Sequence, residues 1–590
     1  MSAETSLEEL TQELREEHGF SNETISLLSD KGLGQKEFQR LREVLNLPNE
    51  TFEERRKKKS WIERNTEEGD SEEITAGRYN KYLRAFKDIS SEQALVQGRM
   101  KFAVEYVVAL VKLLAEHPDY RQLVKRPFNG EEEEKLRSIY KNFYTKDFLA
   151  TKIIESRTKH DIVAANTWVT VRAQQLGLDD NLMRRLVHFA RTSADVNTNV
   201  VGELYTRAIG QWTESVISLL NELEKKAVEY AEATCVGETH LQDAQLTTVG
   251  HIYANIAEQI ALHAEPLLKE EKLRLDGKIA GAIGTDADMM AAFPGLDTFS
   301  MYKTVVEDFF GLKCVELGND QDCTNAALSQ VLDTMINVDL KVKKAATDLS
   351  LYASRGIIGK ITSKGESGSS VMPQKANPFL AEGCEALIPM ASGEIPPLKD
   401  VIAAYREQGD LRRSVALREG FHPIMLKVIA IERLIEEMRN YKPNIIAIEK
   451  EVYEAGPKII SSQIQTFLKK EGIPDAYDRM KRIVMKPYVR AGEIRSYLDK
   501  MVNEEAITGD IASKVTSMLN SVMDMEGNMR ELEGCSDPEY EGRIIERLTR
   551  ANKNEVRKGL LGNAIANTYR MIVGIKGTKE LLSRYIVFAD

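Results

Sequence analysis

The chain has 590 residues, a net charge of −11 and 29% charged residues. It is too long for a single hydrophobic core, and its acidic balance argues against general binding to nucleic acids or anionic membranes. Hydrophobic residues make up 42% of the sequence, which excludes disorder along most of the chain. The 16 prolines are about half of the usual frequency. Because proline interrupts helices, this scarcity predicts long, unbroken helices.

The two ends of the chain carry opposite charge. Residues 1–75 hold 11 basic and 19 acidic side chains, and leucines at helical spacing predict short polar helices that lie outside the core. The basic run at 55–59 is flanked by glutamates, which favours a solvated helix face over a nucleic-acid or targeting patch. Residues 541–590 hold 10 basic and 5 acidic side chains. The two ends could dock on each other or on a neighbouring subunit.

Between these ends, the helical period recurs. In residues 212–231, apolar side chains return every three or four positions, while glutamates and lysines occupy the other faces. The same pattern covers 100–116, 249–271, 323–354 and 423–439, whereas alternating β-branched runs are nearly absent. The sequence therefore predicts an all-α fold of long helices packed side by side.

Several common classes of site lack their sequence patterns. The five cysteines form no CxxC pair, and there is no P-loop, no GxGxxG after a strand, no HExxH and no GxSxG. The opening residues are acidic without an apolar leader, and the longest apolar stretch is broken by charges. We expect a protein of the reducing cytoplasm without a metal centre or a membrane partner.

Three segments interrupt the helical pattern and concentrate small polar residues beside an ionisable one. They are 191–199 (RTSADVNTN), 238–250 (ETHLQDAQLTTVG) and 364–382 (KGESGSSVMPQKANPFLAE), and we predict that all three are loops. In the third, the backbone N–H groups of a Gly/Ser turn can face an anion, with a lysine and an asparagine nearby. Taken alone, each segment has a plainer interpretation. The threonine and serine of the first could be helix N-caps, the histidine of the second could lie on the surface, and the third could be an interhelical linker.

Together, these segments resemble motifs of one enzyme superfamily. Residues 368–378, with Glu382 further on, are similar to the GSSxMPxKxNP motif of the fumarase, aspartase and argininosuccinate lyase superfamily. The segment 191–199 resembles its TSxDxN motif, and 238–250 resembles its THxQxAxxTTxG motif. On these three matches, the chain is identified as a member of the superfamily.

Within the superfamily, residues 76–525 most resemble the adenylosuccinate lyase family. The matching segments are Gly77-Arg78-Tyr79 (GRY), 155–161 (ExRTxHD), 277–284 (GKIxGAxG), 408–418 (QRDLxxSxxxR) and 464–477. The resemblance implies an all-α, three-domain architecture whose central long-helix bundle assembles into a tetramer core. We accordingly divide the chain into an acidic N-terminal extension (1–75), an N-terminal lyase domain (76–187), a central helical bundle with catalytic loops (188–437), a C-terminal lyase domain (438–525) and a basic C-terminal extension (526–590).

The resemblance also implies a reaction and a set of site residues. The expected reaction is a β-elimination that splits a C–N bond and releases fumarate from adenylosuccinate and from succinyl-carboxamide ribotide in purine biosynthesis. It implies no metal or organic cofactor, and a homotetramer whose sites each draw on three chains. Ser369 is the expected base and His240 the expected acid. The expected contacts to the nucleotide substrate are Arg78, Tyr79, Lys159, His160, Asp161, Thr192, Ser193, Thr239, Gln321, Ser370, Lys375, Asn377, Ser414 and Arg418.

Three positions depart from the family pattern. Gly409 stands where the family has an arginine, Gly383 where it has arginine or asparagine, and Lys159 where it has asparagine. The sequence therefore does not determine the shape of the substrate pocket. A guanidinium reaches several ångströms, so Arg406, Arg412 or Arg413 could restore the lost charge.

Two other functions remain as alternatives. An argininosuccinate-type or otherwise altered lyase is favoured by Gln374 and by the two missing pocket side chains, and it is opposed by the phosphate segment that ends at Arg418. A bundle protein without activity is opposed by the intact Ser369, His240 and Lys375.

Overall fold

The computed structural model describes residues 6–49, 79, 81–83, 85–269, 274–317, 319–361, 371–372, 374–486, 489–523 and 561–587. The predicted all-α class is confirmed, because long helices form the body of the molecule and the described strands are short. The N-terminal third contains α1 (Leu7–His18), α2 (Asn22–Asp30), α3 (Gln35–Leu45), α4 (Glu92–Glu116), α5 (Gly130–Lys141), α6 (Thr145–Thr158), α7 (Asp161–Gln175) and α8 (Asp180–Leu186), with 3₁₀ turns at Ala85–Asp88 and Arg121–Leu123.

The middle of the chain holds the long helices and the short strands. These elements are α9 (Ser193–Glu229), β1 (Thr234–Thr239), β2 (Gln242–Thr248), α10 (Val249–Ala264), α11 (Pro266–Lys269), β3 (Asp276–Gly277), α12 (Ala287–Ala292), α13 (Thr298–Lys303), a π-helical turn at Thr304–Phe309, β4 (Lys313–Cys314), α14 (Ala326–Ser354), β5 (Ile358–Lys360), α15 (Phe379–Ala403), α16 (Arg412–Glu419), α17 (Phe421–Arg439) and β6 (Tyr441–Pro443). The strands pair as β1 with β2 (antiparallel), β3 with β4 (parallel) and β5 with β6 (antiparallel).

The C-terminal part forms a smaller helical unit with a core of its own. It contains α18 (Ile445–Ala455), a 3₁₀ turn at Gly456–Ile460, α19 (Ser461–Lys470), α20 (Ala476–Val484), α21 (Ala491–Asn503) and α22 (Gly509–Met523), whereas the last described helix, α23 (Ala564–Val587), packs on the main core. Val236 and Leu246 of the β1–β2 hairpin are buried in the core of this unit. The hairpin is therefore anchored where the bundle meets the C-terminal unit.

The central bundle is formed by five long helices, α9, α10, α14, α15 and α17. Four of them overlap helical stretches that the sequence predicts, whereas α15 begins within the third polar segment. Trp212, Asp339 and Lys427 form a polar group inside it. The Lys427 ammonium pairs with Asp339, both side chains being fully buried, and the Trp212 indole N–H donates to Asp339 Oδ1 at 3.3 Å. Burial raises the pKa of the Asp339 carboxyl. The sequence pattern did not predict this buried ion pair.

Proline is scarce in the chain, but α15 contains three prolines, at 389, 396 and 397. A proline inside a helix removes one backbone hydrogen bond and crowds the preceding turn. The buried side chains of Leu387, Ile388 and Ile395 pack α15 against α14 and α17. Tertiary packing thus keeps α15 helical despite its prolines.

The N-terminal helices are part of the main core, which corrects the expectation that this segment lies outside it. Leu10, Phe38 and Leu41 are fully buried in the same cluster as the bundle side chains. Glu37 of α3 pairs with Arg157 of α6. Periodicity predicted the helices but not their docking. The basic run at 55–59 lies outside the described residues.

The C-terminal helix α23 lies along α9 and α10. Ile572 and Ile575 are buried there, and Lys579 donates to Asn221 at 2.8 Å and pairs with Glu224. In the described part of the chain, this basic extension is thus matched by acidic and polar side chains of the bundle. Among the described helices, none is long and apolar enough to cross a membrane.

Candidate active site

A cavity of about 350 Å³ lies between α4, the start of α9 and α16. Five of the predicted substrate-binding residues line it: Thr192, Ser193, Gln321, Ser414 and Arg418. A second cavity, of about 240 Å³, shares Arg418 with the first and is also lined by Asp161. The fold therefore brings six of the predicted residues to one end of the bundle.

The segment 191–199 starts α9 and is not the loop that the sequence predicts. Thr192 is the N-cap residue: its Oγ1 accepts a hydrogen bond from the Ala194 N–H at 3.1 Å, and its own N–H donates to Asp195 at 3.0 Å. Such a capping box satisfies N–H groups that have no partner within the helix. Ser193 is the first residue of α9, where the free N–H groups and the helix dipole favour an anion.

Two buried polar side chains of α9, Asp195 and Asn199, hold the segment 277–284 against the helix. Asp195 Oδ1 lies 3.0 Å from Lys278 Nζ, and Asn199 Nδ2 donates to the Lys278 carbonyl at 2.8 Å. A Cβ at Gly277 would lie 2.6 Å from Asn199 Oδ1, so this approach requires glycine. The two sequence motifs are thus parts of one structural unit beneath the cavity.

Arg99 on α4 is a site residue that the sequence analysis missed. It is buried and lines both cavities. Its Nη2 lies 2.7 Å from Asp161 Oδ2, and its Nε donates to Asn197 Oδ1 at 3.2 Å. The signal in the sequence is a lone arginine at the edge of the apolar stretch 100–116, because a charge in such a place is rarely left without a partner.

Asp161 lies between two guanidinium groups. Its Oδ2 accepts a hydrogen bond from Arg418 Nη2 at 3.3 Å, in addition to the contact with Arg99. Burial alone would raise the pKa of Asp161, but Arg99, the backbone N–H of Ile162 and Arg418 hold it below its usual value. The second cavity also carries Glu92 and Glu155, whereas the first is lined by three arginines and two aspartates, so an anionic group of a ligand suits the first cavity.

Lys159 and His160 precede Asp161 at the edge of the second cavity. Lys159 ends α6 with a left-handed backbone (φ 55°), and its side chain is exposed. His160 Nε2 lies 3.5 Å from Ser193 Oγ, so the segments 155–161 and 191–199 meet.

Gly409 lies in the turn before α16 and packs against the cavity wall. A Cβ at this position would lie 3.0 Å from Gln321 Cβ and 3.3 Å from Asp322 Oδ2. The Gln321 N–H donates to the Gln408 carbonyl at 2.8 Å. A larger residue at 409 would therefore need this wall to shift.

Of the three arginines that could replace the missing charge, Arg413 lines the cavity. Its Nη1 donates to Asp322 Oδ1 at 2.6 Å, and its Nη2 donates to Asn325 at 3.1 Å. Arg412 does not line the cavity, and its Nη2 pairs with Asp410 Oδ2 at 2.6 Å. The buried Arg413 is thus balanced by Asp322 and does not add a net positive charge to the cavity.

Thr239 and His240 lie in a β-hairpin, which corrects the predicted loop at 238–250. β1 and β2 pair from Thr234↔Thr248 to Thr239↔Gln242, and His240 and Leu241 form the turn with φ of 56° each. A left-handed backbone is uncommon for a residue as bulky as leucine, and such strain often marks functional positions. The His240 side chain is exposed at the tip. Few apolar residues alternate in these strands, so periodicity could not reveal them.

The hairpin is fixed both near its tip, at Glu238, and at its base, beside Gly250. Arg355 lies 3.3 Å from Glu238 and 2.5 Å from Glu451, and so joins β1 to α14 and α18. A Cβ at Gly250 would lie 2.5 Å from the Ala227 carbonyl oxygen. Glycine at this position lets α10 begin directly against the end of α9.

The third segment runs from β5 to α15. Ser369 and Ser370 lie outside the described residues, as does Arg78. Lys375 is exposed and Asn377 is half-buried before α15 begins. The Leu380 N–H, at the start of α15, donates to the buried Glu437 at 3.2 Å. Burial raises the pKa of Glu437 to about 7.

The site residues divide between the two ends of the bundle. Thr192 and Ser193 start α9, whereas His240 follows its end, and 37 helical residues span about 55 Å. β5, from which the third segment leaves, pairs with β6, and Tyr441 of β6 accepts a hydrogen bond from Lys226 near the end of α9. One chain therefore cannot bring Ser193 and His240 to the same substrate.

No group of three or more histidine, cysteine or acidic side chains that could hold a metal ion occurs within the described ranges. The described site is made of guanidinium, hydroxyl, amide, imidazole and carboxylate groups. These groups recognise anions and transfer protons.

Comparison with known proteins shows the family of the chain. The model of a family described as "Lyase" matches residues 77–395, and that of "Adenylosuccinate lyase C-terminal" matches 405–520. Adenylosuccinate lyase from Dictyostelium discoideum is 25% identical over 449 residues, which are 74% of this chain and 93% of that protein. Adenylosuccinate lyase from Escherichia coli K12 is 24% identical over 435 residues, which are 73% and 91% of the two chains.

The fold is also that of solved lyase structures. A fumarate lyase from Mesorhizobium sp. BNC1 superposes with a TM-score of 0.56 and 14% identity, covering 84% of this chain and 98% of that one. A 3-carboxy-cis,cis-muconate lactonizing enzyme from Pseudomonas putida gives a TM-score of 0.54 and 16% identity over 85% and 99% of the two chains. Since the lyase family model covers more than half of the sequence, the chain belongs to the fumarase and aspartase superfamily of lyases, on its adenylosuccinate lyase branch.

Proposed function

We propose that this chain is a carbon–nitrogen lyase that releases fumarate from adenylosuccinate, giving AMP, and from succinyl-carboxamide ribotide in purine biosynthesis. The observation that carries the proposal is the pair of cavities that share Arg418, one lined by Ser193 and the other by Asp161, since these residues come from three separate family motifs. The match of residues 405–520 to the adenylosuccinate lyase C-terminal family supports the substrate.

The elimination needs a base and an acid. The base removes a weakly acidic proton from the carbon next to a carboxylate, and the acid protonates the departing nitrogen. We assign Ser369 as the base and His240 as the acid. A serine hydroxyl is a weak base, so it needs a closed, water-poor loop whose N–H donors stabilise the alkoxide. Glycines 365 and 368 suit that loop, and the exposed His240 at a hairpin tip is free to meet a substrate held elsewhere.

The carboxylate next to the reacting carbon gains negative charge as the proton leaves. Lys375 and Asn377 are suited to hold that charge, and a preorganised donor of this kind contributes about 3 kcal/mol to the lowering of the barrier. Thr192, Ser193 and Thr239 are proposed to bind the other succinyl oxygens. Ser370 and Gln321 are further candidates.

The nucleotide phosphate is proposed to bind Arg78, Tyr79, Ser414 and Arg418, because guanidinium groups can contact phosphate through two hydrogen bonds. Lys159, His160 and Asp161 are proposed to lie near the ribose and base. In this arrangement the net positive lining of the first cavity faces the most anionic part of the substrate.

We further propose a homotetramer in which each site draws on several chains. The span of about 55 Å along α9 supports this, because antiparallel packing of two bundles brings the Ser193 end of one chain to the His240 end of another. The low cysteine content and the metabolic relatives support a cytoplasmic location.

The test is to incubate the purified full chain with adenylosuccinate and to follow fumarate release, with argininosuccinate in parallel. We expect turnover of adenylosuccinate, and none with the His240→Ala control. Turnover of argininosuccinate alone would favour the altered lyase. A chain that is silent with every succinyl substrate would favour the non-enzymatic bundle.

A further inference from the structure

The space beside Gly383, where the family carries a larger side chain, is filled from another helix. A Cβ at Gly383 of α15 would lie 2.1 Å from Nη2 of Arg433 and 2.7 Å from its Cζ and Nε. Arg433 belongs to α17, which packs against α15 along its length. The guanidinium of Arg433 thus occupies the position from which a side chain at 383 would extend.

Arg433 is held between two of the predicted substrate-binding motifs. Its Nη2 donates to the Phe379 carbonyl at 3.1 Å, just after the motif that contains Lys375 and Asn377. Its Cζ lies 5.7 Å from the centre of the Tyr79 ring, within reach of a cation–π contact. One guanidinium therefore touches both the start of α15 and the GRY motif.

The surroundings of Arg433 leave part of the guanidinium unused. Its Nε is buried and has no hydrogen-bond partner among the residues that the structure describes. The neighbouring Glu436 is already engaged, since it accepts hydrogen bonds from Lys81 (2.9 Å) and Tyr82 (2.7 Å). The Nε is enclosed, whereas the side chain as a whole is half-exposed, so a ligand would reach the outer edge of the guanidinium, for which an anionic oxygen is the most suitable acceptor.

We propose that Arg433 is a substrate-binding residue of this chain, which contacts a carboxylate or phosphate oxygen in place of the side chain absent at Gly383. The proposal rests on the proposed lyase function. A guanidinium that contacts the ground state and the transition state equally changes KM and leaves kcat nearly unchanged. A merely structural role, fixing the start of α15 through Phe379, would instead lower kcat.

The first test compares Arg433→Met with Arg439→Met, a matched control on the same helix whose side chain is mostly exposed and paired with Glu222. With adenylosuccinate as substrate, we expect Arg433→Met to raise KM about 10- to 100-fold with kcat within a few-fold, and the control to resemble the wild type. Thermal melting and the oligomeric size check folding. If Arg433→Met is misfolded, we measure Arg433→Lys in its place. This variant keeps the charge but loses the planar guanidinium that can form two hydrogen bonds at once, and it should raise KM less.

The second arm repeats the kinetics with the nucleoside form of the substrate, which lacks the phosphate. A KM penalty that persists assigns the contact to a carboxylate, and one that disappears assigns it to the phosphate. Equal KM values for wild type and Arg433→Met on both substrates would overturn the proposal, as would a loss confined to kcat. If the wild type itself releases no fumarate, the proposed function fails and the inference fails with it.

A double substitution tests the exchange of side chains directly. Gly383→Asn in the wild type places a Cβ against the Arg433 guanidinium and should reduce the melting temperature. In the Arg433→Met background, Gly383→Asn has a flexible, uncharged neighbour. There it should lower the raised KM part of the way toward the wild-type value. Strictly additive effects of the two substitutions would contradict the proposal, because residues that share one space are coupled.

Discussion

The separation of the site along α9 predicts how mixtures of inactive variants behave. Arg418 lies at the cavity beside the start of α9 and His240 lies beyond its end, about 55 Å of helix away. Arg418→Glu reverses an exposed charge, and His240→Ala removes an exposed ring, so neither change disturbs the core. Each variant alone is expected to release almost no fumarate.

The expected recovery in a mixture can be worked out. If each site takes Arg418 from one chain and His240 from another, then in a 1:1 mixture each group is intact in half of the chains. Random assembly therefore completes about one quarter of the sites, and turnover should return to about 25% of the wild-type value.

A matched pair provides the control. Ser193 and Arg418 line the same cavity of one chain. Ser193→Asp suits the start of a helix and repels an anionic substrate. A mixture of Ser193→Asp with Arg418→Glu contains no chain with both groups intact, so it should recover nothing.

The assay is steady-state fumarate release after subunits have been exchanged in dilute denaturant and returned to buffer. Co-purification of two differently tagged variants confirms the exchange. No recovery by the Arg418→Glu and His240→Ala mixture after confirmed exchange would refute shared sites. Recovery by the control pair would refute the assignment of Ser193 and Arg418 to one cavity.

Three further outcomes are expected. Ser369→Ala and His240→Ala should each lower turnover about 10²- to 10⁴-fold with an unchanged circular dichroism spectrum, and near-normal rates would contradict the assigned role. Asp339→Ala leaves the buried Lys427 ammonium without a partner and should lower the free energy of unfolding by about 3–5 kcal/mol in denaturant titration, whereas Asp339→Leu with Lys427→Met should recover most of it. Burial raises the pKa of Glu437 from 4.5 to about 7, so the folded chain holds this proton more tightly than the unfolded chain does. The contribution of this proton to the free energy of unfolding is complete below about pH 4.5 and is lost as the pH rises toward 7. Between about pH 5 and pH 8, the melting temperature of Glu437→Gln should therefore fall less than that of the wild type. An equal fall in the two proteins would contradict this.

Much of the fold could be predicted because helix periodicity is a local property. The apolar spacing in 212–231 and 323–354 indicated α9 and α14 without knowledge of their neighbours. The same reasoning could not predict that α1–α3 join the main core, because docking depends on side chains of α6 and α7 far along the chain. It also missed the β1–β2 hairpin, whose buried residues are too few to give an alternating pattern.

Motifs predicted the candidate site residues, and the structure shows where the described ones lie. Motif matching found Asp161, Ser193 and Arg418, which the fold gathers at one end of the bundle. It missed Arg99, because the position of this arginine in the site depends on Asp161 and Asn197, which face it from other helices. The family departures at Gly383 and Gly409 were visible in the sequence, but the side chains that fill those places were not.

The sequence by itself determined the all-α class and the lyase superfamily, because spacing and motif order are properties of the chain alone. Only the tertiary structure decided which groups meet. A helix of 37 residues is rigid and about 55 Å long, so it holds Ser193 and His240 apart however well both match their motifs. Packing also decided that Arg413 is balanced by Asp322, whereas the guanidinium of Arg433 fills the space beside Gly383.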